Sequence, residues 1–344
     1  MAHRKCGCMY VPPQVLENLA RAGIEDARLS VIHSKQKRSQ RAAKVVDMGI
    51  FGARPARRKA ARKVYDCQNR WQQRVKLVRE EGDRKSRDQA VNQIYDFSGA
   101  VRDCFKQILG RDSIDNLGMD LILNVHYGRN YMNAFWDGDE MTFGDGDGTI
   151  FVSFTRSLDV VAHELAHGVT QFTADLEYQG QSGALNEHFS DVFGSLIQQV
   201  ALEQDAGQAD WLIGNEIMGP DLYGESLRSI KAPGTAYNNR LLGKDPQPDH
   251  MKDYFAGPED NQGVHINSGI PNKAFYFVAM GIGTEKAALI WYEALKKLWS
   301  TAKFNDAVEV IVESARLLTK SKKVPEGTTQ TVRAAFKSVG LPHA

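Results

Sequence analysis

Two histidines four residues apart, His163 and His167 in VVAHELAHGVTQF, are the residues whose spacing first suggests chemistry. On a helix, positions i and i+4 share a face, so both imidazoles can point at one ion. Glu164, one step round, is turned by about 100° and is poorly placed to be a third ligand on that helix. It can instead reach a water beside the ion, which is the place of a general base. HExxH alone would arise by chance in roughly one chain in seventy of this composition, so the third ligand decides the matter. One common continuation of the motif, to a Gly and a third His, is replaced by Thr170 and Thr173. GALNEHFSDVFGSL supplies Glu187 instead, twenty residues beyond His167, far enough for a helix end, a turn and a second helix. Asp191 lies one turn later on the same face, where a carboxylate can take the N–H of a ligand histidine. Leu185, Phe189, Val192 and Phe193 surround the pair, so that face is read as partly buried; His188, pointing away, is read as structural.

The chain that must position these groups has 344 residues, 42% hydrophobic and 25% charged, proportions that suit a soluble globular protein with room for two domains. No apolar run approaches the roughly 18 residues that span a bilayer, and no membrane association is expected. MAHRKCGCMYVPPQV lacks an apolar core and a small-residue cleavage site, so a standard secretory signal is not expected. Cys6, Cys8, Cys67 and Cys104 are too few and too scattered for a disulfide framework. The net charge of +1 conceals eleven Lys or Arg against one acid between Lys35 and Lys63, which leaves the rest at about −9. No aromatics alternate with these basic residues as a stacking platform requires, and nucleic-acid binding is not expected.

Residues 1–47 read as a short leader with one helix in VPPQVLENLARAG. Pro13 suits its first turn, Gly23 its C′ position, and Val15, Leu16, Leu19 and Ala22 form an apolar stripe that needs a surface to cover. Residues 48–63, rich in Gly, Ala and Arg, read as an exposed basic linker open to proteolysis. Polar helices are expected from Val64 to about Leu109, strands from Asp120 to Phe154, and long helices after Leu158. Strands followed by helices predict an α+β fold in two lobes, residues 64–178 with the HExxH helix and residues 179–344.

GRDSIDNLG, VHYG, NAFWDG, GDGDG, DVVAHELAHGVT, SGALNEHFSDVFG and GVHINSGIPNKAFY follow one another along the chain. In their order and spacing the chain resembles the thermolysin family of zinc endopeptidases, and within it the protealysin-like subgroup with short N-terminal propeptides. The similarity is densest from Arg111 to Phe277. It implies a two-lobed zincin with a β-rich N-terminal lobe, an α-helical C-terminal lobe and the zinc site in the cleft between them. One Zn2+ would be held by His163, His167 and Glu187, with Glu164 as general base and Asp191 holding His163 in position. The resemblance also implies that Asp260 orients His265, which with Tyr178 stabilises the oxyanion. Without it, His265 reads rather as a core histidine and Tyr178 as a packed aromatic. Arg228 is implied to contact a substrate carbonyl, and Asn133 and Ala134 to lie on an edge strand that bonds an extended peptide. Phe151, Phe154, Val160, Ile213 and Leu227 are implied to line an apolar S1′ pocket, giving cleavage on the amino side of bulky hydrophobic residues.

The chain departs from thermolysin where that enzyme binds two calcium ions. Asp159 and Asp210 match the acids there, but Gln198, Leu212 and Asn215 replace three other carboxylates. The paired site is therefore expected to be missing, with Ca2+ at most weakly held. CGCMYVPPQVL resembles the subgroup's propeptide, which makes the leader an intramolecular inhibitor. It would act through a Cys6 or Cys8 thiolate on the zinc, or through the helix alone blocking the cleft. The reading is a monomeric zinc endopeptidase that acts on peptides or proteins, made as a zymogen and cut within 48–63. The alternatives are a catalytically silent zinc-containing binding module that keeps its leader, and an aminopeptidase, for which no acidic motif to bind a free amine is found. The family's extracellular habit implies export without a standard signal, against the cytoplasmic precursor that the few cysteines suggest.

Overall fold

Pro13 opens the first helix, α1 (Pro13–Arg21), where its missing N–H costs nothing, and Gly23 at φ 94° ends it. Val15, Leu16 and Leu19 are buried as expected, whereas Ala22, past the last turn, is exposed. A second helix, α2 (Glu25–Ala43), follows and was not foreseen. The computed structural model describes residues 8–43 and 59–342. Most of the basic linker, and Cys6, lie outside the described residues.

A six-stranded mixed sheet forms the first lobe. Its strands are β1 (Cys8–Met9), β2 (Arg62–Asp66), β3 (Lys76–Glu80), β4 (Leu121–Val125), β5 (Ala134–Trp136) and β6 (Met141–Phe143), in the spatial order β1-β5-β6-β4-β2-β3. The leader thus supplies an edge strand, antiparallel to β5, with Cys8 opposite Trp136 and Met9 opposite Phe135. Three expectations are corrected here. The linker expected to reach Lys63 enters the sheet at Arg62, whose guanidinium stacks over Tyr95 and pairs with Glu81. The segment after Val64 begins with β2 and β3, and only then forms the helix α3 (Gln89–Leu109), capped by the Asp88 carboxylate on the Ala90 and Val91 N–H groups. The expected strand TIFVSF is reduced to a bridge between Phe151 and Met218 and a 3-10 turn at Phe154–Arg156.

Two long helices lie where the lobes meet, α4 (Leu158–Gln171) and α5 (Gly180–Ala201). Every residue of α4 from Leu158 to Thr170 is buried, because β5 and α3 cover one side and α5 the other. Gly194 permits the close approach of α5: a Cβ there would stand 3.1 Å from the Asp159 carbonyl oxygen and 3.6 Å from His163 Cβ. A short ribbon of β7 (Leu212–Ile213) and β8 (Arg228–Ser229) follows. The helices α6 (Glu259–Asn267), α7 (Gly269–Ile282), α8 (Thr284–Leu295), α9 (Phe304–Lys320) and α10 (Thr328–Ser338) complete the second lobe. The architecture is the two-lobed α+β arrangement expected.

Candidate metal and peptide site

His163 and His167 project from α4 with their Nε2 atoms 3.1 Å apart. Two nitrogens bound to one tetrahedral zinc at about 2.05 Å would stand about 3.3 Å apart, so a single ion fits between them. From α5, Glu187 brings Oε2 to 3.4 Å from His163 Nε2 and Oε1 to 3.5 Å from His167 Nε2. The three residues are fully or almost fully buried, and their donor atoms all lie within 4.8 Å of one another. Glu187 Oε2 is a buried acceptor with no hydrogen bond, an expensive arrangement that a cation relieves.

Each imidazole is held from behind. His163 Nδ1 meets Asp191 Oδ1 at 2.9 Å, while His167 Nδ1 lies 2.8 Å from Asn186 Oδ1 and 3.0 Å from Ser190 Oγ. These contacts turn both Nε2 atoms toward Glu187. Asp191 also accepts from Arg228, at 2.9–3.1 Å, and from Asn272 Nδ2 at 2.9 Å. Burial works against its charge, but Arg228 and His163 prevail and hold the carboxyl at about 2. Glu164 has no such support. Burial, with Glu187 adding to it against His163, pushes its carboxyl up to about 8, and both its oxygens are buried and unsatisfied. A buried carboxyl beside the donor group, with both oxygens open to a proton, suits a proton carrier.

Opposite the donor group stands His265 on α6. Asp260 to Gly263 form a left-handed turn within this helix, with φ between 51° and 78°. That unusual backbone lets the Asp260 carboxylate accept from both His265 N, at 2.7 Å, and His265 Nδ1, at 2.6 Å. Burial lowers the His265 pKa, yet Asp260 and then Glu187 outweigh it and raise the group above its usual value. Its Nε2 is left to face the cleft, 3.2 Å from the Tyr178 hydroxyl, which donates to Glu187.

The leader occupies this cleft as an extended strand. Asn133 Oδ1 accepts from the Val11 N–H at 2.8 Å and Nδ2 donates to the Val11 carbonyl at 3.4 Å, while the Ala134 carbonyl accepts from the Tyr10 N–H at 3.0 Å. Arg228 Nη1 donates to the Tyr10 carbonyl at 3.3 Å, and His265 Nε2 to that of Met9 at 2.8 Å. The Tyr10 ring meets His163 and Phe154 edge-on, at 5.1 and 6.4 Å between centroids. Gly214, at φ 75°, bounds the pocket: a Cβ there would lie 2.8 Å from the Tyr10 hydroxyl and 3.4 Å from Leu227.

The sequence-predicted residues fall out as follows. His163, His167, Glu187, Glu164, Asp191, Tyr178, His265, Asp260 and Arg228 converge on one site. Asn133 and Ala134 hold the strand. Phe154 touches Tyr10, Phe151 backs Phe154 at 5.8 Å, and Val160, Ile213 and Leu227 are buried in the same apolar core. Cys8 is buried against Tyr178 and Val264 and is not a member of the metal-donor group. His188 is structural, between Asn272 and Trp291. Sequence reasoning missed Asn186, Ser190 and Asn272. The first two sit one turn apart beside Glu187, a spacing that could have found them.

Comparison with known proteins matches residues 34–171 to the family described as "Thermolysin metallopeptidase, catalytic domain" and residues 174–341 to "Thermolysin metallopeptidase, alpha-helical domain". An extracellular metalloprotease of Pectobacterium carotovorum subsp. carotovorum is 42% identical, covering 97% of this chain and 96% of its own. Protease PrtS of Photorhabdus sp. (strain Az29) is 46% identical over 81% of this chain and 76% of its own. The solved precursor of protealysin, a metalloproteinase from Serratia proteamaculans, superposes with a TM-score of 0.85 at 41% identity, covering 97% of this chain and 99% of that one. With its buried His-His-Glu group and these likenesses along almost its whole length, the chain belongs to the thermolysin family of metallopeptidases, in the protealysin-like group, and is a metalloendopeptidase.

Proposed function

We propose that the chain is the zymogen of a single-zinc endopeptidase that cuts on the amino side of bulky hydrophobic residues. Residues 1–47 act as its propeptide, 48–63 as the segment where it is cut, and 64–178 and 179–344 as the two lobes of a monomeric enzyme. The observation that carries the reading is the extended segment Cys8–Val11, a peptide lying across the donor group with an aromatic side chain in the apolar pocket. The extracellular metalloprotease of Pectobacterium, 42% identical, supports export, by a route that uses no standard signal peptide.

His163, His167 and Glu187 would hold the zinc, which when bound supplies a Lewis acid that lowers the pKa of water toward about 7. Glu164 accepts a proton from the attacking water and passes it to the leaving nitrogen. The His265 N–H and Tyr178 hydroxyl donate to the carbonyl oxygen as negative charge develops, typically about 3 kcal/mol for each donor. Arg228, Asn133 and Ala134 fix the register of the peptide. In the precursor those contacts belong to the leader, which explains latency without a thiolate on the metal.

The test follows intact mass of the full-length chain and of Glu164→Ala, with and without a zinc chelator. The wild type is expected to lose the leader and part of the basic segment, while the chelated sample and the variant stay whole. If all stay whole, trypsin applied to the basic segment followed by a peptide-cleavage assay separates a latent enzyme from a silent binding module.

A further inference from the structure

The leader does more than fill the cleft. Its contacts place one peptide bond in the position of a substrate bond, and we infer that Met9–Tyr10 is itself a cleavage site, cut by the same chain that carries it. The inference rests on the endopeptidase reading above.

Contacts at four successive groups set the register. The carbonyl that faces His265 Nε2, at 2.8 Å with the Tyr178 hydroxyl beside it, is that of Met9. The side chain immediately after that carbonyl, Tyr10, is the one turned to His163 and Phe154 in the apolar pocket. The next two groups along the chain, the Tyr10 carbonyl and the Val11 amide, are held by Arg228 and Asn133. A segment running in the opposite direction would inhibit without presenting a bond, but this one runs forward through each subsite in order. The residue before the bond is also fitted. Met9 is fully buried among Tyr127, Tyr131 and Phe135, with the Tyr131 hydroxyl 3.8 Å from its sulfur. The helix α2 backs that subsite, because Ser34 lies 3.0 Å from the Tyr131 hydroxyl and His33 stacks on Trp71 at 3.5 Å.

Hydrolysis adds one water across the bond. The hydroxyl joins the Met9 carbonyl carbon, the C–N bond breaks, and the proton carried by Glu164 goes to the Tyr10 nitrogen. The products are a peptide ending in the Met9 carboxylate and a chain beginning at Tyr10. The Val11, Arg228 and α1 contacts lie on the Tyr10 side of the cut and survive it, so the remaining leader stays docked.

The metal-free full-length chain, given zinc, is followed by intact mass and N-terminal sequencing. A new N-terminus at Tyr10 is expected, forming at a first-order rate unchanged by dilution and slowed about a hundredfold or more in Glu164→Gln. Tyr10→Leu is expected to keep the cut and Tyr10→Pro, which lacks the amide hydrogen that Ala134 accepts, to lose it. In metal-free Glu164→Gln, hydrogen exchange is expected to show the Tyr10 and Val11 amides protected, and Asn133→Ala to release them. Cleavage confined to the basic segment, with Met9–Tyr10 intact in the freed leader, overturns the inference and leaves the peptidase reading standing. Cutting at Met9–Tyr10 that slows on dilution overturns the intramolecular step. Failure to cleave either its own leader or an added peptide after tryptic removal of the leader sinks both.

Discussion

Asp191 ties the metal site to the peptide site. One carboxylate takes the His163 Nδ1–H, the Arg228 guanidinium and the Asn272 amide, so the ligand geometry and the arginine that holds the peptide share a support. Asp191→Asn keeps the shape and removes the charge, leaving Arg228 buried without its counter-ion. Breaking one side of a buried pair costs about 3–5 kcal/mol, and loss of a ligand's outer partner typically weakens metal binding about 10–100-fold. Urea unfolding and zinc-chelator competition on the full-length chain should show both losses together. A variant as stable as the wild type would mean that Arg228 finds its charge balance elsewhere. At this scale the sequence was most legible. The donors lie on two helices at fixed spacings, and helix periodicity alone puts His163, His167, Glu187 and Asp191 on usable faces. His265 and Tyr178 were legible only through the family resemblance, because the contact that brings the two together joins segments 87 residues apart, which no local pattern shows.

Among the elements, the strands were read least well. β2 and β3 carry RKVYD and KLVRE, whose charges suggest a solvated helix. Their stability comes from neighbours that no local pattern reveals: Arg62 and Arg79 lay their guanidiniums on Tyr95 of α3, 3.7 and 3.6 Å from the ring centre. α2 was missed for a similar reason, since its buried face includes Ser30 and Ser34, which bond the Met132 N–H and the Tyr131 hydroxyl. His126 joins three elements in the same hidden way. It follows β4, and its Nδ1 and Nε2 meet Asp145 at 2.7 Å and Asp88, the cap of α3, at 2.9 Å. Asp145 chiefly, with Asp88 adding and burial opposing, raises its pKa to about 9. The unfolded value is about 6.5, so the folded state binds the proton more tightly. This contribution is fully present below about pH 6.5 and is lost as pH rises through about 9. His126→Gln should therefore cost about 1–2 kcal/mol near pH 6 and progressively less toward pH 10, read from urea midpoints of both chains. A cost independent of pH would show that the ring acts by packing alone.

On the scale of the whole molecule, the replaced carboxylates at Gln198, Leu212 and Asn215 predict that the paired calcium site of thermolysin does not form. The protein's own bonds take over the acids at that place. Asp159, fully buried, accepts from the Ser157 hydroxyl, the Val160 N–H at 2.7 Å and the Gly214 N–H at 2.7 Å, so it ties α4 to the β7 end through hydrogen bonds. Asp210 accepts from the Leu212 N–H at 3.0 Å, and Asn215 Nδ2 stands 3.5 Å from it. The Gln198 and Asn215 side-chain oxygens are buried acceptors without partners, but neutral amides offer calcium far less than carboxylates do. An ion at a concentration equal to its dissociation constant stabilises a fold by only about 0.4 kcal/mol, and at a hundredfold excess by about 2.7 kcal/mol. Calcium in the millimolar range should thus move the unfolding midpoint little, and titration calorimetry should show at most one weak event. Chelating calcium should leave the zinc-loaded, processed enzyme as resistant to heat as before. Two tight binding events, or a large fall in midpoint on calcium removal, would mean that the hydrogen bonds of Asp159 yield to the ion and that a paired site forms after all.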